Sequence, residues 1–524
     1  MSCFVDFRKA YDSVQHKLLW NKLEKFGIGK KVIEIIKSIY NRTECTVKME
    51  EKLTPMFEYL IGVRQGCIFS PLLFSLFIND IEELLRDQGI RGGVTVGDIV
   101  LYMLLYADDI VLIARTYGDL QQLLHKLLDF CHSSKMSVNV KKTQVVIFED
   151  CKRKKSHPME FYFDNKKLEV VDVYKYLGTL FFRNLNFRTN LEVIVQKANK
   201  ASFLFWRYVG RFRNMKISEV LNLYRMMIMP ILLYNCEIWG PSTPQHVIDD
   251  TVEIFHRKML RRILGVGRRC PTAAVYCETG EFPLSMEIKL RTFKFILQSK
   301  LLSEKKNCWT AFKHIMTLDC TYRQFVLKLF QEEMGLDFNS FLIDEEIVSV
   351  DSFPQIMDRA KETLAQTYCS SLVQEVKKNV KLGFYDLING GRWFGFKPYL
   401  DELPNKFARA ALARFRCGNH RLQMEVGRWK KIPRAYRICR FCNSREIENE
   451  GHVLMECPFF EASRKQMFGK LEKIIPNFSR ASQFRKMTIL FMNSLDVPKL
   501  TSKFVKKIIE QADRRYTTDI MIDI

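Results

Sequence analysis

The sequence offers no uninterrupted apolar run of the roughly 20 residues that a bilayer-spanning helix needs, and no secretory leader starts at Met1. Both absences argue for an intracellular chain with no membrane association. Low-complexity tracts are missing, as is any repeat of fixed period, so neither a disordered tail protein nor a solenoid is expected. Disulfide spacing is lacking too: the 15 cysteines are mostly solitary, the pattern of buried thiols in a reducing compartment. Acidic residues are in short supply, 59 Asp and Glu against 82 Lys and Arg, for a formal net charge of +23. Such a surface gathers polyanions and gains affinity by releasing their counterions, which makes nucleic acid the expected partner.

Hydrophobic residues are plentiful, 47% of 524, enough to bury cores in roughly two to four domains. From Met1 to about Phe182, short β-branched or aromatic runs alternate with stretches of helical period, an α+β pattern. Strands are predicted over 3–7, 101–106, 110–114 and 145–148, and helices over 13–26, 70–85 and 119–134. Ser70 is expected to cap the second helix, with Pro71 at its first position, where no amide is needed. A basic loop, Lys152-Arg153-Lys154-Lys155, precedes a hairpin predicted around 161–171. Past Asn186 the strand signals fade, and amphipathic helices are predicted over 191–206, 217–233, 247–264 and 285–303. The section 308–383 reads as helical and carries no chemical signal.

Chemistry is concentrated in Phe4-Val5-Asp6-Phe7 and Tyr106-Ala107-Asp108-Asp109, each of which ends a strand-like apolar run in carboxylate. A further apolar run follows the second at once, as in a tight hairpin. Carboxylates at the end of an apolar sheet are costly unless a cation compensates them, and a divalent metal is the natural candidate. Two carboxylates on adjacent strands can bridge a pair of Mg²⁺ ions ~3.5–4 Å apart, the arrangement used for in-line phosphoryl transfer.

Three more segments accompany them: Gly62-Val63-Arg64-Gln65-Gly66-Cys67-Ile68-Phe69-Ser70-Pro71, Asn139-Val140-Lys141-Lys142-Thr143 and Tyr174-Lys175-Tyr176-Leu177-Gly178. In this order and spacing the segments from Cys3 to Phe182 resemble the palm of reverse transcriptases, specifically those of LINE-type non-LTR retrotransposons. The resemblance implies an antiparallel sheet with packing helices, and Asp6, Asp108 and Asp109 as the metal ligands of DNA synthesis. It implies that Tyr11, five residues after Asp6, is a steric gate under the nucleotide sugar, and that Phe7, Gln65 and Gly66 line the substrate site. A lysine near the leaving pyrophosphate is implied as general acid; of Lys141 and Lys142 the second is favoured. Tyr176, Leu177 and Gly178 are implied to steer the primer end. Phe74, Phe77, Ile78 and Ile81 read as core. Met1 lies only five residues before Asp6, where the family keeps a fingers region, and no endonuclease domain precedes it, so a truncated copy is expected.

Near the other end, Cys439-Arg440-Phe441-Cys442 with His452 and Cys457 gives C-x₂-C-x₉-H-x₄-C. Paired cysteines and a later His and Cys can close a tetrahedral zinc site with Zn–S of about 2.3 Å and Zn–N of about 2.0–2.1 Å. The motif resembles the C-terminal cysteine–histidine module of non-LTR elements, which implies nucleic-acid binding. Basic and aromatic residues crowd upstream of it: Arg414, Arg416, His420, Arg421, Arg428, Trp429, Lys430, Lys431, Arg434 and Tyr436. These suit phosphate contact combined with base stacking, although Trp429 can equally brace the zinc module. Arg207, Arg211, Arg213, Arg261, Arg262, Arg268 and Arg269 are further phosphate candidates.

The expected organisation is a palm over 1–182, a helical thumb and connection over 186–305, a helical region of unknown role over 306–410, a basic segment with a CCHC knuckle over 411–470, and a helical tail over 471–524. The expected function is RNA-directed DNA polymerisation for target-primed reverse transcription in the nucleus and cytoplasm. Its reactants are an RNA template, a DNA target end as primer and deoxynucleoside triphosphates, with two Mg²⁺ at the palm and Zn²⁺ at the knuckle. An inactive nucleic-acid-binding remnant is the alternative, and an intron-type maturase a third reading.

Overall fold

The computed structural model describes residues 1–522 apart from 42–43, 51, 59, 87–91, 150–158, 213–214, 303–306, 344–347, 392 and 493–495. The basic loop Lys152–Lys155 and Arg213 lie outside the described residues. The chain divides into two units, one of residues 1–190 with 302–318, the other of 191–301 with 319–524.

The first unit is built on strands β1 (Ser2–Val5), β2 (Met103–Tyr106), β3 (Asp109–Ile113), β4 (Gln144–Val146), β5 (Phe161–Phe163) and β6 (Lys166–Val170). They form one six-stranded sheet in the order β5-β6-β4-β1-β3-β2. The sheet is antiparallel, as expected, except where β4 runs parallel to β6. That pair requires a crossover, and the intervening β5–β6 hairpin supplies one by turning back before β6 joins the edge of β4.

Side chains alternate along β1, so Cys3, Val5 and Phe7 enter the main core while Ser2, Phe4 and Asp6 point to the other face. The core face is covered by helices α1 (His16–Lys25), α2 (Ser70–Ile78) and α3 (Tyr117–Ser134). On α3 the buried positions Leu120, Leu123, Leu124, Leu127 and Phe130 fall at helical spacing, each stabilising by about 1.5–3 kcal/mol. The Thr116 hydroxyl caps α3 by accepting from the Asp119 N–H at 3.2 Å. The second face carries the hairpin of β7 (Val173–Tyr176) and β8 (Thr179–Phe182), whose Tyr174 ring stacks on Phe4 at 4.1 Å.

Several element ends differ from the sequence expectation. Ser70 is not a cap: it is already helical, follows Phe69 at the cap, and its hydroxyl donates to the Arg64 carbonyl at 2.5 Å. The helix predicted from Ser70 breaks after Ile78, and a new one runs over Asp80–Arg86. The predicted 217–233 helix divides at Ile228, because Pro230 has no amide to continue the ladder. The predicted 247–264 helix divides at Thr251, whose hydroxyl bonds back to the Val247 carbonyl at 2.6 Å and competes with the backbone.

The second unit is helical. Its core contains an ion pair rather than apolar packing alone: Arg416, 2% exposed, holds the Glu278 carboxylate with Nη2–Oε1 at 3.0 Å, and Tyr399 donates to the same carboxylate at 2.5 Å. Removing one partner of such a pair leaves an uncompensated buried charge. Arg416→Met should therefore cost about 3–5 kcal/mol in urea unfolding, whereas Arg416→Met combined with Glu278→Leu should recover most of that loss.

Candidate active site and metal-ligand cluster

β1 and β3 pair in the register Ser2↔Ile113, Cys3↔Leu112, Phe4↔Val111, Val5↔Ile110, and one more step sets Asp6 beside Asp109. β2 and β3 close as a hairpin with Tyr106 opposite Asp109, leaving Ala107 and Asp108 as the loop. Ala107 sits in the left-handed region at φ 53°, a conformation that costs a non-glycine residue roughly 1–2 kcal/mol. That turn presents Asp108 to solvent at the tip, while Asp6 is half-buried.

The three carboxylates act on one another electrostatically. Partial burial, then the charges of Asp108 and Asp6, hold the Asp109 carboxyl above its ordinary range. Negative charge crowded at the end of an apolar sheet fits a divalent cation, which would relieve that repulsion. The flanking turn Asn139–Thr143 is strapped to the same strand end: the Asn139 N–H donates to the Asp6 carbonyl at 2.7 Å, and the Asp6 N–H donates to Thr143 Oγ1 at 3.2 Å. Lys142 Nζ stands 3.9 Å from Asp6 Oδ2 and is otherwise solvated.

Tyr11 occupies the border between core and site. Its ring stacks on Phe74 at 4.7 Å, and its phenol is pushed above its usual range by burial and by Asp108. Gln65 and Gly66 are exposed on the loop before α2; Gln65 donates to Asp12 at 3.1 Å, and Gly66 takes φ 86°, open to the left-handed region that glycine supplies. Leu177 and Gly178 form the two-residue turn between β7 and β8, both at positive φ. That hairpin brings Tyr174 and Tyr176 within reach of the carboxylates: burial raises the Tyr176 phenol first, then the charge of Asp109. Phe7 is a correction. Strand alternation turns its ring into the core at 6% exposure, on the face opposite Asp6, so it offers no side chain to a substrate.

In the second unit, Cys439, Cys442, His452 and Cys457 converge with all ligand atoms within 4.8 Å of one another. Cys439 and Cys457 sulfurs lie 3.9 Å apart, and Cys442 Sγ lies 3.4 Å from His452 Nε2. A tetrahedron with the usual zinc bond lengths has edges of about 3.8 Å between sulfurs and about 3.5 Å between sulfur and nitrogen, so the donor set fits. His452 Nδ1 is buried without a hydrogen-bond partner among the described residues, and the nearest carboxylate, that of Glu456, stands 3.6 Å away. Burial opposes ionisation of Cys442, but hydrogen bonds from Ser444 and His452 outweigh it and bring the thiol down to about 6.

Many basic residues assigned to phosphate contact are spent on internal partners, because a buried guanidinium must be paired. Arg416 is held by Glu278, His420 by Glu450 at 3.0 Å, and Arg428 by Glu425. Arg261 turns inward onto the Cys270 carbonyl and Thr272. Arg207, Arg211, Arg262, Arg268, Arg269, Lys431 and Arg434 remain exposed. Among the described residues, no helix is long and apolar enough to cross a membrane.

Residues 1–181 match the family model described as "Reverse transcriptase (RNA-dependent DNA polymerase)". The chain is similar to the "RNA-directed DNA polymerase from mobile element jockey" of Drosophila funebris, 23% identical over 53% of this chain and 30% of that protein. It is similar to the "Retrovirus-related Pol polyprotein from type-2 retrotransposable element R2DM" of Drosophila melanogaster, 30% identical over 36% of this chain and 18% of that protein. A type-1 retrotransposable element R2 polyprotein of Popillia japonica is 23% identical over 58% of this chain and 42% of its own length. The chain thus spans less than half the length of these relatives.

Proposed function

We propose, from the premise that residues 1–181 are a reverse transcriptase domain of the kind found in non-LTR retrotransposons, that this chain extends a DNA primer on an RNA template. The observation that carries the reading is the register that sets Asp6 beside Asp109, with Asp108 at the adjoining hairpin tip. Asp6, Asp108 and Asp109 would hold Mg²⁺, which supplies activation of the primer 3′ oxygen and charge neutralisation of the leaving pyrophosphate. Lys142, held near Asp6, would donate a proton to that leaving group. Gln65 and Gly66 would border the incoming deoxynucleoside triphosphate, and the Tyr176–Gly178 turn would set the primer end against it. The Cys439, Cys442, His452 and Cys457 cluster would hold Zn²⁺ and keep a nucleic-acid-binding module in shape. The place of action would be the nucleus, after synthesis in the cytoplasm.

The deciding assay gives the purified chain a primed RNA template, deoxynucleoside triphosphates and Mg²⁺. Extension dependent on both template and metal supports the reading; tight RNA binding with no synthesis selects the binding-remnant alternative. Tyr11, braced by Phe74, gives a second test. Tyr11→Ala opens space below the sugar and should raise ribonucleotide incorporation relative to deoxynucleotide by about tenfold or more, read from misincorporation in the same assay. Unchanged sugar selectivity would remove Tyr11 from the substrate site.

A further inference from the structure

Three segments of the second unit meet in a ladder of two rings with a cation at each end. Arg269, on the turn at 265–270, lies over the Trp429 ring at 4.5 Å; Trp429 meets Tyr516 edge-on at 6.4 Å; and Arg421 lies over Tyr516 at 4.7 Å. Trp429 ends the helix Gln423–Trp429, and Tyr516 belongs to the helix Val497–Ile522. Among the described residues, the ring and cation contacts of Trp429 are with this ladder.

The turn bearing Arg269 is fixed from three sides. Gly267 N–H donates to Asn419 Oδ1 at 2.6 Å, the Arg261 guanidinium grips the Cys270 carbonyl at 3.1 Å, and Lys381 Nζ donates to the Arg269 carbonyl at 2.6 Å. Lys381 also stands 3.6 Å from Glu425, on the same helix as Trp429, so turn and helix are tied together. A guanidinium held over a ring and carried by a fixed turn has little rotamer entropy left to lose. Arg421 is partly neutralised by Asp513 at 3.6 Å, but among the described residues Arg268, Arg269 and Arg515 form no ion pair.

We infer that the Arg269–Trp429–Tyr516–Arg421 ladder is a binding platform for single-stranded nucleic acid, with the guanidinium edges on phosphates and the ring and guanidinium planes on base faces. Duplex cannot use the planes, because its base faces are covered by stacking; it offers only phosphates. An acidic protein segment would use the arginines and leave the rings idle. The inference rests on nucleic acid being what this chain handles, and not on synthesis.

The test is binding of the full chain to a labelled 20-nucleotide oligoadenylate and to an RNA duplex of equal length, at two salt concentrations. Trp429→Ala should weaken single-strand binding by about tenfold and duplex binding by less than about twofold, and Trp429→Phe should restore most of the loss. Arg269→Ala should weaken both and lower the salt slope by about one. Tyr516→Leu guards against a misfolded Trp429 variant, and thermal unfolding of each variant checks the fold. Parent-like single-strand affinity in folded Trp429→Ala, an equal loss on duplex, or equal competition by polyglutamate would each overturn the inference. A parent chain that binds with this pattern yet extends no primer would overturn the polymerase reading and leave the platform standing.

Discussion

Asp108→Asn should abolish primer extension, by on the order of a thousandfold, while RNA affinity stays at the parent value. Asparagine keeps the shape of the side chain and removes its charge. The position is solvent-exposed at a hairpin tip, so no packing is lost. What is lost is one of the negative charges that crowd the end of the sheet and would hold Mg²⁺ there. Metal titration of the residual activity should show a higher Mg²⁺ requirement. Asp98→Asn, on an exposed turn outside the site, controls for a general change of charge. Full synthesis by the Asp108 variant would sink the polymerase assignment, and joint loss of synthesis and RNA binding would indicate damage to the fold instead.

Chelating metal from the Cys/His cluster should release about one zinc per chain and unfold the segment around 437–460. In zinc-finger peptides the bound metal stabilises by about 10–16 kcal/mol; here helices surround the module, so the expected loss is several kcal/mol. The module has its own supports. The Arg440 guanidinium holds buried Glu448 at 2.8 Å, and Phe441 packs against Phe459 and Phe460. Even so, three sulfurs and an imidazole whose ligand atoms all lie within 4.8 Å of one another form a grouping that a metal ion would hold together. Ligands must shed protons to bind metal, so affinity should fall as pH drops, and more steeply below about 6, where Cys442 also takes up its proton. Atomic emission of the purified chain, followed by urea unfolding with and without chelator, reads both effects. A metal-free chain with unchanged unfolding, or Cys442→Ser with full stability and no zinc, would reduce the cluster to four neighbouring side chains.

Much of the carboxylate-bearing end of the sheet was legible from residue order. A β-strand reverses faces at every residue, so Cys3, Val5 and Phe7 as core implies Asp6 on the other face, and a two-residue hairpin implies that Asp108 and Asp109 share a strand end with their neighbour. That same rule, applied fully, turns the Phe7 ring into the core, on the face away from Asp6. The Cys/His quartet was legible because ligand spacing is a local constraint. Trp429 was legible as an aromatic in basic company, but its neighbours Arg269 and Tyr516 come from distant segments.

Sequence alone determined the alternation of faces along the strands, and therefore the carboxylates at the strand ends, together with the spacing of the Cys/His quartet. Tertiary structure decided which cations meet solvent and which are buried against a carboxylate. Arg416 and Glu278, 138 residues apart, are the clearest instance. The reason is the range of the forces involved. Backbone periodicity acts over a few residues, whereas desolvating a charge is tolerable only if packing delivers its partner, and that partner can lie anywhere along the chain.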